Sequence, residues 1–431
     1  MADHADRDRR HRLLLVLLVT LTGYSVLLLA ARSSADLMAP WLAGHFYAAG
    51  ALDQIYPPDT DLFTMLPPSD WAPYLATTDY QGAVFPFIYP PLWVVIMSWI
   101  SGISPPEGMR WVASLINPAL LFGMVILVTR LTDLTEDIKR TATIIGALVL
   151  FFSVGGSVAL VQNQPQILVS FLIVLAIERD RANRPFAAGT ALAFAAALKL
   201  YPILFVLMWM AAGRWNSVKW AVLIGGALGI TSILLAGWPL HAAFLQQTLL
   251  ISRTAMLTPM NFGLDALIGY LSFADTATQI EQLSVGLGDE GYIGWSIVAK
   301  PLLWRMASIV LLLSAVAWPA WQIARKGDNR FLWPLSIAGI AFFSPLSWSY
   351  YYLPVIAFTP LLFEKLPPRT TILCLLPLVV TYFVTLLDSI GSHGTDALIH
   401  KAFLLLMSTP FFGILTMLWL SALFVFAARK A

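Results

Sequence analysis

The sequence predicts an all-α polytopic membrane protein, and three observations carry that reading. Hydrophobic residues fill 58% of the 431 positions and charged residues only 12%, whereas a water-soluble chain of this length needs more charge to cover its surface. Apolar runs long enough to cross hydrocarbon recur along the chain. Basic residues gather in short clusters between those runs, the pattern of loops held on the cytoplasmic side.

The first run, 13–31, comes after Arg7, Arg9, Arg10, His11 and Arg12. Residues 1–12 are therefore expected as a cytoplasmic basic tail, and the run delivers the segment from residue 32 onward to the opposite face. Ser33, Ser34 and Ala35 have the small-residue spacing of a cleavage site. The run before them is longer than a secretory h-region, so a retained first span is expected.

Further long runs lie at 109–131, 141–160, 217–237, 301–324, 331–346, 349–364, 370–390 and 402–428, with shorter ones at 85–103, 165–178, 186–199 and 200–212. The basic clusters are Lys139/Arg140, Arg179/Arg181/Arg184, Arg214/Lys219, Arg325/Lys326/Arg330, Lys365/Arg369 and Arg429/Lys430. Placing all of them on one side fixes the parity. It requires 165–178 to cross, and 186–212 to form two short helices meeting outside near Lys199. The run 85–103, bounded by Pro86, Pro90 and Pro91 and by Pro105 and Pro106, then reads as re-entrant or interfacial. The expected architecture is one transmembrane domain over 13–431 with about 12 helices crossing and both termini inside. Two long outer segments remain, at about 32–84 and 238–300, and residues 37–52 of the first fit an amphipathic helix lying along the interface. No internal or inverted repeat is visible, which disfavours a secondary transporter.

A net charge of +2 gives no ground for a nucleic-acid partner. The single cysteine, Cys374, excludes an intrachain disulfide, and six scattered histidines offer no metal-ligand spacing. Phosphate-loop, zinc-protease and nucleophile-elbow motifs are absent from the sequence. No metal or cofactor is expected.

Ionisable residues inside apolar stretches are costly and mark function by default. Lys199 interrupts such a stretch just before Tyr201 and Pro202. Proline disfavours helical geometry in the residue before it, so the chain is expected to break there. An ammonium at an outward-facing break suits a phosphate or pyrophosphate; the alternative is a lysine snorkelling to the interface. Gln162, Asn163, Gln164, Pro165 and Gln166 form a polar knot between two apolar runs, fit either to bind sugar hydroxyls or to make a plain loop. Tyr89 with Pro90 and Pro91, and residues 344–352 with Trp348, form aromatic outer turns that also fit an interfacial belt. Asp36 stands just beyond the first run among small and aromatic residues. At the water–lipid boundary it is placed to take a proton from a hydroxyl, with Asp53 as a rival and pairing with Arg32 as the alternative.

Taken in order, these residues resemble glycosyltransferase family 87. The resemblance runs through an Asp after the first span, Tyr-Pro-Pro, a Gln-containing polar turn, Lys-x-Tyr-Pro and a Ser-Pro-x-Ser-Trp turn, over roughly 33–355. It implies the GT-C fold and a mannosyltransferase that uses polyprenyl-phosphate-mannose. By position, Asp36 corresponds to the catalytic aspartate and Gln164 to the glutamine of the polar turn, with Asn163 in place of Gly and Gln166 in place of Asn. Lys199 and Pro202 match the Lys-x-x-Pro element. Asn261 matches an asparagine of the later outer loop, without the arginine expected downstream. Ser344, Pro345, Ser347 and Trp348 match the Ser-Pro-x-Ser-Trp turn, followed here by Tyr350, Tyr351 and Tyr352 where histidines are frequent.

The resemblance further implies that Asp36 acts as general base on the acceptor hydroxyl. Lys199, with Tyr351 or Arg253, would hold the departing lipid phosphate, while Tyr89, Gln164, Asn261 and Trp348 would contact sugar or acceptor. A β-linked donor and an α-linked product mean inversion without a covalent intermediate. The expected partners are a polyprenyl-phosphate-linked sugar, a lipid or glycan acceptor and membrane lipids. The expected place is the cell membrane, with the site on the non-cytoplasmic side. Two alternatives stay open: transfer of another lipid-linked sugar such as arabinose or glucose, and a polytopic transporter or lipid flippase.

Overall fold

The computed structural model describes residues 2–29, 34–58, 60–286, 294–391 and 410–430. The chain is mostly helical. In order come α1 (Ala2–Tyr24), α2 (Ala35–Ala48), α3 (Trp71–Ala76), α4 (Pro91–Ile103), α5 (Pro106–Arg130), α6 (Glu136–Phe152), α7 (Val154–Val161), α8 (Gln166–Arg181) and α9 (Pro185–Leu198). They are followed by α10 (Val206–Ala211), α11 (Trp215–Arg253), α12 (Leu264–Ser272), α13 (Leu302–Lys326), α14 (Leu332–Phe343), α15 (Leu353–Ala357), α16 (Pro368–Leu375), α17 (Pro377–Gly391) and α18 (Phe411–Arg429).

Among the described residues, α5, α11, α13 and α18 are long and apolar enough to span a membrane, and α6 with α7, bent by 62°, makes a fifth. That is fewer than the expected 12. Proline is the main reason: Pro91, Pro185, Pro202 and Pro354 each open a short helical piece, since proline suits a first turn and breaks an interior. The run 349–364 does not form one helix. It folds as α15 flanked by two 3₁₀ turns, and residues 352–363 are all buried. Irregular backbone of this kind is tolerated at membrane depth where protein surrounds it.

Helix α5 shows how sequence sets an element. Pro106 takes the first position, Glu107 complements the N-terminal dipole and Arg130 the C-terminal one. Its 25 residues reach about 37 Å at 1.5 Å per residue, enough to cross hydrocarbon. Beyond its C-terminal end the basic loops converge. Arg330 pairs with Asp133 at 2.6 Å and Glu364 at 2.7 Å, Arg181 with Asp328 at 2.8 Å, and Arg214 with Asp180 at 3.6 Å. Lys365 reaches the Lys430 carbonyl at 3.1 Å. The clusters that the charge pattern assigned to one side therefore share one end of the molecule.

The other end is built from the two long segments at about 32–84 and 238–300, as far as they are described. Helix α2 lies on α4, and an indole N–H of Trp41 donates to the Ser104 carbonyl at 3.0 Å. A Cβ on Gly44 would stand 2.4 Å from the Met97 carbonyl carbon, so the two backbones touch at that glycine. The all-α expectation fails locally here, because five short strands appear. β1 (Gly82–Ala83) pairs with β4 (Ser284–Val285), and β5 (Trp295–Ala299) lies between β2 (Thr254–Leu257) and β3 (Thr278–Ile280), all antiparallel. The β1–β4 pair joins one of these segments to the other. Side chains add to it: Gln247 donates to the Pro57 carbonyl at 3.0 Å and Trp295 to the Thr64 carbonyl at 3.0 Å. A buried knot fixes the far side, where Asp265 accepts from Lys300 at 2.6 Å, Trp304 at 2.7 Å and Ser308 at 3.0 Å.

Candidate active site

Asp36 occupies the first turn of α2, a helix of 14 residues that is too short to span. Its placement is set by the polar knot at the α7–α8 junction. Asn163 has φ +46, a left-handed conformation that Gly adopts freely and Asn better than most other residues. Its amide donates to Ser34 at 3.0 Å and Ser114 at 3.1 Å, and its oxygen accepts from Asn117 at 3.0 Å. One buried side chain thus ties the start of α2 to α5.

Two neighbours hold Asp36 directly. The Gln164 amide donates to Oδ2 at 2.6 Å, and the Asp36 backbone N–H donates to Gln162 Oε1 at 3.4 Å. Gln164 Oε1 accepts the Tyr89 hydroxyl at 2.9 Å. Gln166 reaches the Tyr201 hydroxyl at 2.8 Å. Burial pushes the Asp36 carboxyl up to about 6, against the Gln164 hydrogen bond and the Lys199 charge, which both pull it down. A carboxylate so poised suits general-base work near neutrality.

Lys199 lies where the chain breaks between α9 and the 3₁₀ turn Tyr201–Phe205. Its own backbone is extended, φ −146 and ψ 133, so the break falls slightly ahead of the proline that was expected to cause it. The ammonium stands over three aromatic rings: Tyr351 at 4.4 Å, Tyr89 at 5.3 Å and Tyr350 at 5.8 Å from their centroids. It donates to the Tyr351 hydroxyl at 3.3 Å. Such contacts are worth about 0.5 to 2 kcal/mol each, most where water is excluded. No carboxylate lies within ion-pair distance of it among the described residues, although Asp36 is near enough for the two charges to act on each other.

A cavity of about 740 Å³ opens between the start of α2, the α3 region and the start of α5, lined by Ser34 and Leu37, which flank Asp36 in sequence, and not by Asp36 itself. Ser34, Leu37, Trp41, Tyr80, Asp79 and Arg110 are among its walls. Arg110 Nε is buried with no hydrogen-bond partner among the described residues.

Asp36, Gln164, Tyr89, Lys199 and Tyr351, read from the sequence as site residues, come together. Trp348 stacks on Tyr350 with centroids 6.2 Å apart, one residue removed from the cage. Asn261 is fully buried, and its side chain serves backbone. It donates to Met256 at 2.9 Å and accepts from Gly263 and Ser347 at 3.2 Å each, while its backbone bridges to Trp348. It positions the turn carrying the tyrosines. Arg253 ends α11 with an exposed side chain, and its carbonyl accepts from the Lys300 N–H at 2.8 Å. None of its side-chain atoms bonds to the Asp36–Lys199 group among the described residues. Sequence reasoning passed over Tyr350 and the tethering role of Asn163. The run of three tyrosines after Trp348 was the available signal for the first. Among the described residues, no three His, Cys, Asp or Glu side chains gather as a metal site.

No individually curated protein matches the chain. The profile of glycosyltransferase family 87 matches residues 87–347, a stretch that holds Tyr89, Gln164, Lys199 and Asn261, begins after Asp36 and stops just before Trp348. A match over more than half of the chain, on a mostly helical membrane architecture with a carboxylate, an ammonium and an aromatic cage at one end, shows that this protein belongs to glycosyltransferase family 87 and is a GT-C membrane glycosyltransferase.

Proposed function

We propose that the protein transfers a sugar, mannose, from a polyprenyl-phosphate donor to an acceptor hydroxyl on the non-cytoplasmic face of the cell membrane, with inversion. One observation carries the reading: Lys199 is a cation caged by aromatic rings and free of carboxylate partners, in the same polar network as a carboxylate poised near neutral pH. In this reading the short apolar helices complete a bundle of about 12 crossings together with the long spans.

Asp36 takes the proton from the acceptor hydroxyl as its oxygen attacks the anomeric carbon. The bond from that carbon to the phosphate oxygen breaks, and the lipid phosphate leaves with the electron pair. Negative charge grows on the leaving group, where Lys199 and the Tyr351 hydroxyl stabilise it. Gln164 orients the base, and Tyr89 and Trp348 supply aromatic faces for sugar rings. Asn261 supports the Trp348 turn from behind. The cavity lined by Trp41, Tyr80, Asp79 and Arg110 receives the acceptor, since aromatic faces and charged hydrogen-bonding groups suit a polyhydroxylated ligand.

The test uses protein in proteoliposomes with radiolabelled polyprenyl-phosphate-mannose and a membrane extract as acceptor source. Wild type is expected to move label to acceptor, and Asp36→Asn to lose about a hundredfold to ten-thousandfold in rate while remaining folded. Near-normal turnover by Asp36→Asn would sink the mechanism. Transfer from arabinosyl or glucosyl lipid in place of mannose would overturn the choice of sugar alone.

A further inference from the structure

We propose that the cleft between α13, α14 and α18, at the end where the basic loops meet, binds the phosphate headgroup of an anionic phospholipid. The cleft encloses about 930 Å³. It lies beyond the C-terminal end of α5, whereas the cavity lined by Ser34 and Leu37 lies at the N-terminal end of that helix. It is therefore separate from the transfer site and does not depend on sugar chemistry.

The balance of charges argues for an anion. Arg181, Lys326, Arg330, Lys365 and Arg429 line the cleft against Asp133 and Asp328. The acids are already engaged, Asp328 by Arg181 at 2.8 Å and Asp133 by Arg330 at 2.6 Å. Lys326, Lys365 and Arg429 have no carboxylate partner among the described residues. Lys365 has only the Lys430 carbonyl at 3.1 Å and the Phe331 ring at 5.8 Å. Arg181 adds an Nε that is buried with no hydrogen-bond partner among the described residues, even though its guanidinium end is paired. A cleft with three uncompensated cations and an unused buried donor is built for negative charge.

The walls argue that the anion is a lipid. Trp318, Leu332, Leu335 and Val425 form an apolar flank beside the cations. Trp318 is 48% exposed and sits on α13, which with α18 is long and apolar enough to lie in hydrocarbon. A free phosphate or nucleotide has no use for that flank. An acyl chain does, and a basic pocket between membrane helices with apolar walls is a known way to hold anionic headgroups.

The experiment measures lipid retention by native mass spectrometry on full-length protein. The protein is reconstituted with equal phosphatidylglycerol and phosphatidylcholine, then stripped with detergent. Wild type is expected to keep phosphatidylglycerol and lose phosphatidylcholine. The double variant Lys326→Gln/Arg429→Gln, changed at exposed positions, is expected to bind phosphatidylglycerol about tenfold or more weakly with an unaltered gel-filtration profile. Equal retention of the two lipids, or undiminished retention by the variant, overturns the site. Full displacement by millimolar inorganic phosphate shows a phosphate site and overturns the lipid assignment; failure to displace supports it. Should the double variant not fold, Trp318→Ala is read in its place, with lowered phosphatidylglycerol retention expected and unchanged retention overturning the site.

Discussion

The side-chain amide of Gln164 donates to Asp36 Oδ2 at 2.6 Å across 128 positions of sequence. That bond does two things: it turns the carboxylate, and it favours the charged form against the burial that raises its pKa to about 6. The same glutamine accepts the Tyr89 hydroxyl, so its amide cannot flip without breaking both contacts.

The pH dependence of kcat/KM tests this bond. A base must be deprotonated, so activity is expected to fall as pH drops through about 6. Gln164→Leu removes a contact that lowers the pKa, so the acid limb should move to higher pH. A limb that stays in place would show that some other group titrates.

Lys199→Met should separate the two substrates. In the proposed mechanism, loss of the ammonium removes charge stabilisation of the leaving phosphate, with an expected drop of about a hundredfold to a thousandfold in kcat and little change in acceptor KM. It also removes a charge that lowers the Asp36 pKa, which should raise the acid limb. Tyr351→Phe keeps the ring and loses only the 3.3 Å hydroxyl contact, so a smaller effect is expected. Donor kinetics across the three proteins decide the matter.

Asn163 allows strain and bonding to be separated. Asn163→Gly accommodates φ +46 but deprives Ser34, Ser114 and Asn117 of their partner. Asn163→Ala loses the partner and adds backbone strain, an extra cost of about 1 kcal/mol. Denaturation in detergent should therefore rank the native protein above Gly and Gly above Ala. Equal stability of the two variants would contradict the strain assignment.

Gly44→Leu probes the α2–α4 contact. Its Cβ meets the Met97 backbone, which no rotamer relieves, so α2 must shift and carry Asp36 with it. Transfer should fall severely while protease resistance of the spans remains. Normal activity would mean that the helices separate without disturbing the base.

Much of the candidate site, as a set of side chains that come together, was legible because each residue broke a local rule. Lys199 is a charge in an apolar stretch before a proline, Asp36 an acid just past a span, and Gln164 part of a polar knot between apolar runs. A helix was expected over 37–52, but α2 runs Ala35–Ala48 and buries residues 38–44 without a break, so it is packed in protein and not laid amphipathically along an interface. The small sheets were not legible, because strands of two to five residues leave little periodicity to read. Nor was the work of Asn261, since nothing local shows that its amide bonds backbone at Met256 and Ser347. The span count is not settled by length alone: four helices and one bent pair among the described residues are long and apolar enough to cross, and apolar content does not tell a helix in lipid from a broken segment wrapped in protein, as at 349–364.

The pairing of β1 with β4 bears on biosynthesis. Residues 82–83 wait for residues 284–285, so the ribosome has delivered most of the chain before this end of the molecule can close. Until Tyr351 arrives, Lys199 lacks the nearest ring of its cage. A nascent or truncated product that stops short of Tyr351 therefore carries Asp36 and Lys199 without the complete aromatic cage.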